Sequence, residues 1–307
     1  MEFIICFIPV FVLFLGVVQL SFMALAKLVV QHAAVMGARS AIVVLEDDDP
    51  ERYGGEGFGV IDYSGSGSSR RSGSDPVMSR LIDWFKGTKV GSLAVRAGLS
   101  RGGPRLREIR KAVYVPLSAV APPPRLVNGW FDRGLRRVFG SSSAGSSLGG
   151  AIGSAPWERF AAGLIYNRAA AVVTFHQPGS REIFEGAFGP TDSLTLRVTY
   201  LFHCAVPLVS RFMCHRPFGL SGMEANAQEI RDAVSDPAGR DPRELGRMVG
   251  EARSSVEQVE QKLELFSRAE SFGLTLTLVL ADARFAELSA EATMPIQGAG
   301  YYRRGDE

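Results

Sequence analysis

The chain has 307 residues, with 34 Lys and Arg against 32 Asp and Glu, a formal net charge of +2 and 21% charged residues. Such a balance, with its basic residues scattered, excludes the electrostatic footprint of a nucleic-acid binder. The length admits a membrane anchor plus one sizeable or two small soluble units, while three cysteines are too few for a disulfide-dense scaffold.

The first element is an apolar run from Phe3 to Ala26, in which Gln19 is the only strongly polar residue. As a helix it would reach about 36 Å, enough to cross a hydrocarbon core of about 30 Å with some tilt. A bilayer leaves no other reasonable state for its backbone amides, and Pro9 is tolerated there. A cleaved secretory signal fits less well, because no basic n-region precedes a run this long. Lys27 to Leu45 contains no proline and stays rich in helix formers and small residues, so the helix is expected to continue to the EDDDP run at 46–50. Ala33, Ala34, Gly37, Ala38, Ser40 and Ala41 would let another helix approach closely. Lys27 and Arg39 both follow the apolar run. Taken literally, that charge bias keeps the C-terminal side in the cytoplasm.

Arg101 to Lys111 (RGGPRLREIRK), interrupted by Glu108, reads as a solvated loop. The Gly/Ser-rich stretches 54–76 and 140–156 read as flexible loops. Val77 to Phe85 fits a short amphipathic helix. Lys111 to Val120 (AVYVPL) suggests an edge strand because of Pro116. Trp157 to Ala170 is expected to be helical and Ala171 to His176 a strand. Leu194, Leu196, Val198 and Tyr200 alternate along a second strand, with LTLTL at 274–278 as its expected partner and Glu287 to Met294 as a third candidate. A polar helical stretch, roughly Pro242 to Glu270 within an insertion at about 225–270, carries Val249, Val256, Val259, Leu263 and Phe266 at helical spacing. The fold class is therefore α+β: a long N-terminal helix (1–45), a loop-rich region (46–156), and a domain with an antiparallel sheet and helices (157–307).

Catalytic and metal patterns are sparse. Cys204 and Cys214 form a candidate disulfide, with free buried thiols or a site shared with His203 and His215 as alternatives; a zinc site is disfavoured because neighbouring strand residues face opposite sides. The acids at 46–51 lack the spacing of a calcium loop. No nucleophile motif or Walker pattern occurs, and the glycine runs do not sit between a strand and a helix. His176 has no nucleophile partner that sequence identifies. The reading is therefore of no enzyme, no metal and no cofactor.

Glu2-Phe3, Pro9, Gly16 and AAVMGARSA at 33–41 together resemble the N-terminal segment of TadE-like pseudopilins, minor subunits of the tight-adherence (Tad) pilus in the type IV pilus superfamily. A VTY strand followed by VPL (Val198–Tyr200, Val206–Leu208) is similar to the C-terminal part of such chains. The resemblance implies a structural, single-pass protein of the bacterial inner membrane, its domain extracytoplasmic, packing into a pilus or secretion filament. It implies Glu2, Phe3, Pro9, Gly16, Ala33, Ala34, Gly37 and Ala38 as residues of helix register and subunit packing. Implied partners are other pilin-like subunits, an assembly platform, an ATPase, a prepilin peptidase and membrane lipid, with no nucleic acid. In the family the glutamate is the fifth residue after the peptidase cleavage site. The expectation is thus a basic leader ending in Gly upstream of Met1, which would also resolve the orientation, and an amine of a neighbouring subunit as the partner of Glu2. The competing expectation is an extracytoplasmic binding protein or enzyme that uses the helix only as a tether.

Overall fold

The structure is a computed structural model describing residues 2–47, 53, 57, 59–63, 102–127, 129–130, 156–180, 182–189, 192–206, 208–215, 257, 261–262, 264–271, 275, 278 and 283–296; the side chains of residues 2–6, 156–158 and 161 are not part of that description. Helix α1 (Glu2–Glu46) is continuous over 45 residues, with Pro9 inside it, and reaches about 68 Å. From Phe7 to Val17 its side chains are exposed or half-buried. Beyond that point Gln19, Ala26, Val30, Ala33, Ala34, Ala38, Ala41, Val44 and Leu45 are buried. Their spacing of three and four residues puts them on one stripe of the helix, and that stripe lies on the rest of the molecule.

Three antiparallel strands form the sheet, in the order β1 (Ala171–His176), β2 (Ser193–His203), β3 (Phe285–Pro295). Ala171 pairs with Tyr200 across β1 and β2, and Ser193 with Pro295 across β2 and β3. β2 sits at the centre because it pairs on both edges, and its alternating residues Leu194, Leu196, Val198 and Tyr200 are all fully buried on one face. Two polar cross-strand pairs hold the register of β3: the Thr195 and Thr293 hydroxyls are 2.8 Å apart, and Arg197 Nε donates to Glu291 Oε1 at 2.6 Å. The expected strand at Glu287 to Met294 is thus β3. Among the LTLTL residues, Thr275 and Leu278 are helical, which corrects the strand expected there.

A second correction concerns residues 101–120. Helix α2 (Pro104–Leu117) runs through the expected loop and edge strand, followed by a 3-10 turn at Ser118–Val120. Gly102, at φ +101°, and Gly103 turn the chain, and Pro104 opens the helix where its missing N–H costs nothing. Leu106, Ile109, Val113 and Leu117 then fall on one buried face, and Pro116 is accommodated in the last turn. Helical spacing thus overrode the β-propensity of AVYV. Helix α3 (Pro156–Ala170) leads directly into β1, as expected. α1 lies on β2 and β3, α2 packs against α1, and α3 packs against α2 and the β1–β2 side. A single core therefore joins the second half of α1 to the sheet. A short helix α4 (Ser210–Met213) follows β2. Val77 to Phe85 and most of the two Gly/Ser-rich stretches lie outside the described residues, as do most of 225–263.

Candidate functional site

The functional candidate is α1, and its two halves are built differently. In the first half Phe7, Ile8, Val10, Phe11, Leu13 and Phe14 are exposed on all sides of the helix, and a Cβ on Gly16 would meet nothing within 4 Å among the described residues. Pro9 is exposed in the same stretch. Glu2 and Phe3 form the first turn. This half is a bare apolar rod, and α1 as a whole, from Phe7 to Glu46, is long and apolar enough to cross a membrane by length and composition.

The second half is the spine of the domain. Ala33, Ala34 and Ala38 are fully buried, and a Cβ on Gly37 would stand 2.5 Å from Val113 Cγ2 and 3.3 Å from Leu196. The small face read from sequence therefore does admit a close helix, namely α2 of the same chain. Arg105 of α2 closes the end of α1: its guanidinium donates to the carbonyls of Val44 and Leu45 and lies 4.4 Å from the centre of the Tyr53 ring. A cation placed at a helix C-terminus both satisfies orphan carbonyls and opposes the helix dipole.

Gln19 marks the junction between the halves. It is fully buried, and its Oε1 accepts a hydrogen bond from the Val206 amide at 3.2 Å. Val206 belongs to a loop closed by the Cys204–Cys214 disulfide, whose Cα atoms are 6.5 Å apart, within the usual range. Met23 packs on the disulfide with Ala286 and Met213. The bonded pair removes the free-thiol and zinc alternatives. Among the described residues no group of three or more His, Cys, Asp or Glu is arranged to hold a metal.

Arg110 of α2, Arg168 of α3 and Glu270 form a group of buried or half-buried charges that the sequence did not reveal. Arg168 of α3 pairs with Glu270, and Arg110 Nη2 donates to the Arg268 carbonyl at 2.6 Å. Burial pushes the Glu270 carboxyl up, but the charges of Arg168 and Arg110 outweigh it and hold its pKa below the ordinary value. The Arg168 guanidinium is held charged by Glu270. Burial raises Tyr63, Tyr114, Tyr166 and Tyr200 well above the usual phenol range, so all keep their protons. The Tyr63 and Tyr166 hydroxyls serve structure: Tyr63 accepts from the Phe175 amide at 2.8 Å, and Tyr166 donates to the Leu201 carbonyl at 2.5 Å. His176 sits between the Glu182 carbonyl at 2.9 Å and the Thr174 hydroxyl at 3.0 Å. His203, packed on Trp130 and Phe285, has its pKa lowered by burial to about 4.

Residues 1–39 match the family model described as TadE-like protein, a match lying wholly within the described helix from its second residue onward. No curated protein and no solved structure matches the chain.

Proposed function

We propose that this chain, TadE-like in its N-terminal helix, is a structural minor pseudopilin of a Tad pilus or a related secretion filament. The observation that carries the reading is the division of α1 into a bare apolar half and a half built into the domain. Before assembly the first half rests in the inner membrane as a single span, with the domain outside the cytoplasm, where the Cys204–Cys214 bond suits an oxidising compartment. During assembly a platform protein and its ATPase lift the subunit out, and the bared helix exchanges lipid for the helices of neighbouring subunits. Phe3, Pro9 and Gly16 lie on the surface then buried. Ala33, Ala34, Gly37 and Ala38 act one step back, by fixing α1 rigidly to its own domain.

Glu2 sets the axial register by meeting the N-terminal amine freed on a neighbour by the prepilin peptidase. An intramembrane carboxylate is costly without a partner, so its pairing favours one stacking position. The alternative, a tethered binding protein or enzyme, has no use for that charge. The test is Glu2→Ala in cells, scored by membrane fractionation and by co-purification with the other pilus subunits. The variant is expected to reach the membrane normally but to lose co-purification. Unchanged co-purification would overturn the structural role in favour of a tether.

A further inference from the structure

We propose that the disulfide-closed loop 204–215 is a second membrane contact, which seats the base of the domain on the headgroup boundary of the bilayer that α1 enters. The proposal rests on the membrane reading of α1 given above and adds a partner for a surface that reading leaves unused.

Three observations on different residues converge. The first is depth. The loop meets α1 at Gln19 through the Val206 amide and at Met23 through the disulfide. The first charge on the helix after Glu2 is Lys27, which lies about 12 Å further along the axis than Gln19. Strand geometry agrees: Lys27 Nζ donates to the Ser289 carbonyl of β3, and β3 continues from there down to Phe285 beside the loop. The loop therefore stands level with a part of α1 that is still apolar.

The second is chemistry. Phe212 is 80% exposed and Leu208 55% exposed, next to Arg211, which is also exposed. An aromatic and an aliphatic side chain with an adjacent cation suit the boundary between acyl chains and phosphate. Arg284 Nη1 donates to the Arg211 carbonyl at 3.1 Å, so a second guanidinium flanks the first. The nearest acid on that stretch of β3, Glu287, is paired with Lys262.

The third is the effort spent in holding the tips outward. Leu208 has φ +70°, the left-handed region, and is the only non-glycine residue there among the described residues. The turn is fixed by hydrogen bonds from the Ser210, Phe212 and Cys214 amides to Val206, Val209 and Ser210 carbonyls. Its two ends are tied by the disulfide and by the paired His215–Phe285 bridge. A loop this constrained that shows its apolar side chains to the outside is built to present them, and continuity with the bare half of α1 identifies lipid as what they meet.

The test uses the full chain in vesicles of phosphatidylethanolamine and phosphatidylglycerol, with p-benzoylphenylalanine at one position at a time: Phe11, Phe212 or Val43. Val43 is exposed and apolar on the same helix, about 36 Å beyond Gln19. After irradiation, lipid adducts are measured by mass. Adducts at 11 and 212, at least about tenfold above those at 43, are expected from these depths. Adducts at 11 but none at 212, or adducts at 212 to protein instead, would overturn the loop contact and leave the membrane span intact. No adduct at 11 would overturn the span itself, and the loop contact with it. Equal adducts at 43 would mean that α1 lies along the surface, which also overturns the proposal.

Discussion

Gly37 of α1 sits under Val113 of α2 so closely that a Cβ on the glycine would stand 2.5 Å from Val113 Cγ2. Leu196 of β2 borders the same point at 3.3 Å, so helix, helix and sheet meet there with no spare volume. Gly37→Ala would gain about 1 kcal/mol of helix propensity. It would lose more to overpacking, which typically costs about 1–3 kcal/mol. Net destabilisation is expected in chemical denaturation of the detergent-solubilised chain, and Val113→Ala should partly rescue it. A double-mutant cycle showing no coupling between the two positions would contradict this contact.

Gly16 provides the contrast, since among the described residues nothing lies within 4 Å of a Cβ there. Gly16→Leu should leave the stability of the domain within about 0.5 kcal/mol of the parent. If the bare half of α1 packs in a filament, the same change should reduce co-purification with other subunits. Denaturation and co-purification measured on one variant separate the two roles of the helix. Loss of domain stability at Gly16 would mean that this half belongs to the fold.

These two glycines also mark what a sequence can express. Small residues at helical spacing announced that something would approach α1, but periodicity does not say whether the visitor is another subunit or another part of the chain. It was α2, hidden because Arg105 and Arg110 look like solvated charges. Both are buried. Their acceptors are carbonyls far away in sequence, at Val44 and Leu45 for one and at Arg268 for the other. By contrast, Leu194 to Tyr200 was readable as a strand because its alternation is a local property. Cys204 and Cys214 were readable as a candidate pair because they lie close in sequence and one bridge between them fits an oxidising compartment. LTLTL misled because Thr275 and Leu278 are three apart, so a short alternating run also satisfies a helical turn.

Arg168 and Glu270 form an ion pair in which the carboxylate is 8% exposed and the guanidinium 33%. Arg168 Nε donates to Glu270 Oε1 at 2.9 Å. Removing one partner of a buried pair costs about 3–5 kcal/mol, because the other charge stays behind. Glu270→Gln is expected at or below the lower end of that range, since Arg168 is a third exposed and regains hydration while the buried Arg110 loses a nearby counter-charge. Arg168→Met combined with Glu270→Leu should cost clearly less than the two single changes added together. Equal and additive losses in urea denaturation would show that the pair contributes nothing as a pair.

His203 at the end of β2 gives the domain a defined weakness to acid. Its ring packs 4.6 Å from Trp130 and 6.1 Å from Phe285, centre to centre, and burial lowers its pKa from 6.5 to about 4. Above pH 6.5 the imidazole is neutral in the folded and the unfolded chain, so it imposes no penalty. Between pH 6.5 and 4 the unfolded chain takes up a proton that the folded chain refuses, and stability falls as pH falls. A shift of that size corresponds to roughly 3 kcal/mol once pH is below the folded value. Glu270 behaves differently: its pKa is depressed, so its contribution is intact above the ordinary carboxylate value of 4.5 and is lost only as pH drops further. The window from pH 6.5 to 4.5 therefore separates the contribution of His203 from that of Glu270. His203→Phe, which keeps a ring against Trp130, should flatten the fall in stability across that window while leaving the steeper loss below it. If the slope between pH 6.5 and 4.5 is the same in the variant and the parent, His203 is not the group that titrates.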